Sequence, residues 1–119
     1  KNSITMKKLI YLITLSFIIT SCGSTKGLYS WDKYEQASYN YLKKADDKST
    51  EKIMEQYIKV LNKQKGTRKI APPGMYADYG YFLIQRGNLK EGKANLMREI
   101  VLYPESKIFI DRILKLIEE

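Results

Sequence analysis

Histidine is missing from all 119 residues. Its absence removes Ser-His-Asp and Cys-His nucleophilic systems, together with the commonest metal ligand. There is a single cysteine, Cys22, so neither an internal disulfide nor a cysteine zinc cluster can form. No glycine-rich loop of the kind that cradles phosphate occurs. After residue 19 no apolar run approaches the roughly 20 residues needed to span a bilayer. What is present is ordinary for a folded chain: 44% hydrophobic and 29% charged residues, enough for one domain with a thin core. Ten tyrosines are a heavy aromatic load for a chain this small.

The position of the lone cysteine explains it. Met6 is followed by Lys7 and Lys8, then by a mostly apolar stretch from Leu9 to Ile19, then by Thr20-Ser21-Cys22. A charged start, a short apolar middle and a small-residue end describe a signal peptide over residues 1–21, with an apolar run too short to remain as a span. Residues 1–5 precede Met6, carry no signal of their own and are compatible with a start at Met6. Ile19-Thr20-Ser21-Cys22 resembles the bacterial lipobox, with an apolar residue three before the cysteine and a small one just before it. The resemblance implies a diacylglyceryl group on the Cys22 thiol, cleavage before Cys22 and acylation of the new amino terminus. Several acyl chains anchor firmly where one binds only marginally. The competing reading is an ordinary secretory signal beside an accidental cysteine. Residues 22–30 then form the lipidated cysteine and tether, with Gly-Ser-Thr-Lys-Gly at 23–27 flexible by composition. An aspartate after the cysteine commonly holds such proteins at the inner membrane of a two-membrane bacterium. Here the residue is Gly23, and by that resemblance the outer membrane is the expected address.

Removing residues 1–21 takes away Lys1, Lys7 and Lys8 and no acid, which lowers the net charge from +8 to +5. The excess gathers in Lys59, Lys63, Lys65, Arg68 and Lys69, with no acid between them. Export argues against nucleic acid as the partner. The patch either meets anionic head groups or surface polymer, or is a solvated helix end, where cations are favoured.

Helical spacing dominates residues 31–119. Tyr34, Ala37, Tyr41 and Leu42 share one face of a first helix, with a break at Asp46-Asp47. Ser49 is expected to cap a second, whose stripe is Ile53, Tyr57, Val60 and Leu61 and whose end falls at Gly66. Pro72-Pro73 close a basic connector that no helix can cross. A third helix carries Met75, Tyr79, Phe82 and Leu83 and stops at Gly87-Asn88. A fourth carries Leu89, Leu96, Ile100 and Val101 as far as Pro104. A fifth begins near Glu105-Ser106, with Ile108, Phe109, Ile113, Leu114 and Ile117 as its face. No segment reads as a strand. The expectation is an all-α domain of about five short antiparallel helices stacked as hairpins.

Residues 73–106 span 34 positions, and Tyr76, Tyr79-Gly80, Leu83, Gly87-Asn88, Leu96, Ile100 and Pro104 fall where a tetratricopeptide repeat places its packing residues, inter-helix glycine and closing proline. The segment therefore resembles that repeat, with Gly92 and Glu99 standing where small alanines are usual. Tyr34-Glu35-Gln36-Ala37 resembles the start of an upstream unit. Over a longer stretch, Lys26-Gly27-Leu28-Tyr29-Ser30-Trp31 with Tyr34-Glu35, then Ala71 through Gly80, then Tyr103-Pro104-Glu105-Ser106, resemble a family of small bacterial lipoproteins of unknown function. That resemblance implies other envelope lipoproteins as partners.

Helical repeats bind through the face made by the first helix of each pair. The repeat resemblance puts Ala77, Tyr81, Ile84 and Gln85 on that face, Tyr81 being either a contact residue or one packed beneath a neighbour. Trp31 is either core or an interfacial anchor. The carboxylates Asp78, Glu91, Glu99 and Asp111 form no recognisable catalytic pair, so the expectation is a non-enzymatic interaction or assembly module. It needs no cofactor or metal and shows no small-molecule substrate. The alternative is a structural envelope protein holding anionic polymer or lipid through its basic patch.

Overall fold

A computed structural model describes residues 2–19 and 26–119. The expected lipidation site, Cys22, lies outside the described residues. Those described are all helical, without a strand: α1 (Asn2–Ile19), α2 (Tyr34–Lys44), α3 (Asp47–Asn62), α4 (Met75–Gln85), α5 (Leu89–Leu102), a 3-10 turn (Pro104–Ser106) and α6 (Lys107–Glu118). The all-α expectation holds. Helix α1 stands apart chemically, because every described side chain from Asn2 to Ser16 is exposed although most of Met6 to Leu15 is apolar. No helix of the described residues is long and apolar enough to cross a membrane.

Local chemistry sets the helix ends. Ala45 adopts a left-handed conformation (φ 47°) and closes α2 by donating its amide hydrogen bond to the Tyr41 carbonyl. The cap of α3 differs from the expected Ser49. Asp46 is the N-cap, its carboxylate accepting from the Ser49 amide at 2.7 Å while the Ser49 hydroxyl accepts from the Asp46 amide at 3.1 Å. Serine thus plays the reciprocal part of a capping box, because the aspartate three residues earlier offers a charged acceptor to the helix N-terminus. Helix α3 also ends at Asn62 rather than Gly66. Gly66 has another duty: a Cβ there would collide with the backbone of Leu28 and Tyr29.

The core falls into two clusters. In the first, Ala37, Ile53, Tyr57, Val60, Leu61, Met75, Tyr76, Tyr79, Phe82 and Leu83 bind α2, α3 and α4 together. Tyrosines form its spine. Tyr34 meets Tyr57 with ring centroids 5.3 Å apart, Tyr57 meets Tyr79 at 5.3 Å, and Tyr41 meets Phe82 edge-on at 5.7 Å. Offset and edge-on rings add to what area burial gives, which accounts for much of the tyrosine load. In the second cluster Ala77, Leu96 and Ile110 join α4, α5 and α6, with Ile84, Ile100, Ile113, Leu114 and Ile117 against them. Ile110, fully buried, replaces the expected Ile108 and Phe109, both of which face solvent. Ile110, Ile113, Leu114 and Ile117 follow i, i+3, i+4, i+7 spacing along α6 and take the buried face, off which Ile108 and Phe109 fall. Leu42, Leu89 and Val101 are likewise exposed.

The tightest contact is between α4 and α5. A Cβ on Gly80 would lie 2.7 Å from the Gly92 carbonyl oxygen, and one on Gly92 would lie 2.7 Å from that of Gly80. Both glycines are therefore needed where the backbones meet, despite a helix-propensity cost of about 1 kcal/mol each. Glu99, far from disturbing the pairing, is 1% exposed and caps the neighbouring helix. Its carboxylate accepts from the amides of Gly74 (2.5 Å) and Tyr76 (3.2 Å), at an α4 N-terminus whose own N-cap, Gly74, has no side chain. Tyr103, also buried, donates to the Ala71 carbonyl at 2.6 Å, and burial pushes its phenol up to about 12.

Two stability effects are expected. Gly80→Leu should force α4 and α5 apart and lower stability by about 1–3 kcal/mol in denaturant titration. Glu99→Ala should leave one buried and one half-buried amide without an acceptor and lower it by about 2 kcal/mol, while Glu99→Gln, which keeps one acceptor oxygen, should lose less.

Candidate functional site

Two surface features stand out, an apolar groove and a basic edge. The groove runs between α4 and α6, has a volume of about 510 Å³ and is lined by Ala77, Asp78, Tyr81, Phe109, Ile113, Leu116 and Ile117. Helix α6 makes it. Ile110 anchors α6 to the second core cluster, and Phe109 and Leu116 are thereby left 62% and 73% exposed along the groove. Tyr81, 48% exposed, stands on the opposite wall and is not a core residue. Single exposed apolar side chains are common, but a contiguous set lining a concavity marks a binding surface.

Of the four residues expected to form a partner face, the structure brings Ala77 and Tyr81 into this groove. Ile84 packs against the second core cluster beside Gly92, and Gln85 is exposed outside the groove lining. Of the α6 contributors, Phe109, Ile113 and Ile117 belong to the apolar face expected from the sequence and Leu116 does not, and Ile113 and Ile117 also pack against the second core cluster.

Asp78 is the one charged residue in the groove lining. It sits in the first turn of α4 with its side chain exposed at the groove edge, and partial desolvation there raises its pKa above the ordinary carboxylate value. The other candidate carboxylates are engaged elsewhere. Glu91 accepts from the Asn88 side-chain amide at the start of α5, Glu99 caps α4, and Asp111 pairs with Lys107 one helical turn earlier.

The basic edge lies where residues 27–31 run beside residues 63–68. Gly27 and Leu28 carbonyls accept from the Thr67 and Arg68 amides at 3.1 and 3.2 Å. The Gln64 side chain clasps the Ser30 backbone, accepting from its amide at 2.9 Å and donating to its carbonyl at 2.8 Å. The Lys65 amide donates to the Ser30 hydroxyl at 2.9 Å, and Arg68 donates to the Tyr29 hydroxyl at 3.0 Å. A cleft of about 290 Å³ there is lined by Ser30, Asp32, Lys59, Lys63 and Lys65. The expected basic patch is thus assembled in part. Lys59 is answered by Glu55 at 3.0 Å and by Asp32 at 4.0 Å, whereas no carboxylate of the described residues pairs with Lys63, Lys65, Arg68 or Lys69.

Residues 28–113 match the model of a family described as Domain of unknown function (DUF4810). The chain belongs to that family. No curated protein and no solved structure matches it. The DUF4810 match begins at Leu28, so the clasped segment and both surface features fall almost wholly within it, while α1 and Cys22 precede it.

The raised pKa of Asp78 has a consequence for stability. The folded chain holds this proton more tightly than the unfolded chain, so the contribution of Asp78 is greatest below the unfolded pKa of about 3.9 and falls as pH rises through the higher folded value. Asp78→Asn should therefore melt above the wild type at pH 7, with the difference closing as pH approaches about 4. Paired thermal melts across that range check this.

Proposed function

We propose that this DUF4810 domain is a non-catalytic protein-interaction module of the bacterial cell envelope. It is held on a membrane by lipid at Cys22 and takes an apolar helical face of a partner envelope protein into the α4–α6 groove. The groove is the observation that carries this reading, since Tyr81, Phe109 and Leu116 form an apolar lining that the fold leaves uncovered. A helix laid in such a groove would bury alternate apolar anchors. Asp78 favours a partner segment bearing a lysine or arginine among those anchors. A tetratricopeptide-like arrangement supports the same reading. Residues 73–106 keep the repeat length, Gly80 and Gly92 sit at the close approach of α4 and α5, and the groove is walled by α4 and α6, the first helices of successive pairs on that scheme. The anchor reading is supported by the lipobox resemblance and by α1, apolar yet unburied, as a signal segment would be. The outer membrane is the favoured address, from Gly23.

A second reading, a structural lipoprotein that binds anionic surface polymer, draws on the cleft of Lys59, Lys63 and Lys65 around Ser30. It is the weaker, because Glu55 and Asp32 already occupy Lys59.

The test is site-specific photo-crosslinking in cells. A benzophenone-bearing analogue replacing Tyr81 should give one discrete product with an envelope protein. The same analogue replacing Lys90, exposed outside the groove, should not. Phe109→Glu should abolish the Tyr81 product with an unchanged melting temperature. Equal products from both positions, or a product that survives Phe109→Glu, would sink the groove reading. Intact mass of the wild type beside Cys22→Ala tests the anchor separately, since acyl mass must be present in the first and absent from the second.

A further inference from the structure

We propose that the edge formed by residues 27–31 and 63–69 is a membrane-contact surface, docking the domain onto anionic head groups of the leaflet that carries the Cys22 lipid. The inference rests on the anchored reading above and adds an orientation to it. Its first support is reach. Residues 27–30 are not slack tether but are hydrogen-bonded along the 64–68 loop, with Gly66 closed against Leu28 and Tyr29. Gly27 is only five positions after Cys22, so at full extension the edge begins within about 17 Å of the anchored cysteine. A lipid on Cys22 thus delivers this edge, rather than any other part of the domain, to the bilayer.

The second support is the chemistry delivered. Lys63, Lys65, Arg68 and Lys69 meet no carboxylate of the described residues, and Lys26 precedes them on the tether side. Asp32 and Glu55 pair with Lys59, Asp32 also lining the cleft of Lys63 and Lys65, and Glu35 shares a separate shallow pocket with Trp31, Tyr34 and Ser38. Within the clasped segment and directly after it, Leu28 is 61% and Trp31 44% exposed. Unpaired cations with an exposed tryptophan and leucine match an anionic interface, where indole rings settle at head-group depth and juxtamembrane lysines are attracted to the surface. A soluble polyanion would draw on the cations but offers Leu28 no apolar layer to enter.

Trp31 is the sole tryptophan and therefore reports on its own surroundings. The full lipidated chain would be reconstituted in phosphatidylcholine vesicles with or without about 30% phosphatidylglycerol, each containing a brominated-acyl lipid as quencher. Trp31 emission should shift to the blue and be quenched at least about twofold more in the anionic vesicles, the difference shrinking as salt rises. Lys63→Glu/Lys65→Glu should remove the difference while keeping the melting temperature, and Lys63→Gln/Lys65→Gln should reduce it. Emission that ignores lipid charge would overturn the proposal. So would an equal Trp31 response to dextran sulfate added without vesicles, which would assign the edge to soluble polymer. Flotation of Cys22→Ala separates the two readings. If it floats on neutral vesicles as the wild type does, the anchor reading has failed, and the charge dependence of Trp31 still decides the contact.

Discussion

Backbone contact between α4 and α5, allowed by Gly80 and Gly92, is the constraint on which the rest of the domain depends. Helices normally pack 8–10 Å apart, at a distance set by the side chains between them. With no Cβ at either glycine, the pair closes until each would-be Cβ position lies 2.7 Å from the opposite carbonyl. That closeness puts Glu99 of α5 within reach of the bare N-terminus of α4, where it satisfies two amides that Gly74 cannot serve. It also gives Leu96 and Ala77 a common surface on which Ile110 of α6 can seat.

The groove follows from that seating. Once Ile110 is buried, the helical period leaves Phe109 and Leu116 toward solvent, opposite Tyr81. A thin domain has too little interior to hide all its large apolar side chains, and here three of the exposed ones, Tyr81, Phe109 and Leu116, share one concavity. Asp78 stands at its edge, exposed and in the first turn of α4, with its pKa raised by partial desolvation. The clasp of residues 27–30 on 64–68 fixes how the amino-terminal chain leaves the fold. The proposed partner site and the proposed membrane edge are thus built from separate parts of the sequence.

Much of this was legible in the residues. The breaks at Gly87-Asn88 and Pro104 and the stripes of α3 and α4 follow from periodicity and turn chemistry, which act over a few residues. The close approach at Gly80 was legible too, since glycine inside a helix costs stability unless packing needs it. Other features were not. Ser49 looked like a cap because it is a good one, but Asp46 is better placed. Gly66 looked like a helix stop, yet its missing side chain makes room for Leu28 and Tyr29, some 40 positions earlier. Glu99 looked like a disturbance to packing because its two partners lie on another helix. Half of the expected partner face, Ala77 and Tyr81, falls in the groove, and Ile84 and Gln85 do not, because one helix alone cannot say where its neighbour will stand.

By itself the sequence determined the helical class, the number and approximate span of the helices after residue 31, and the run of basic residues from Lys59 to Lys69. It did so because helix propensity, capping and 3.6-residue periodicity are local properties. Tertiary structure decided which apolar residues are core and which are groove, what the buried glutamate does, and that the basic loop is strapped to the segment following the cysteine. Those outcomes depend on distances between residues far apart in the chain, which are set only when the helices have packed.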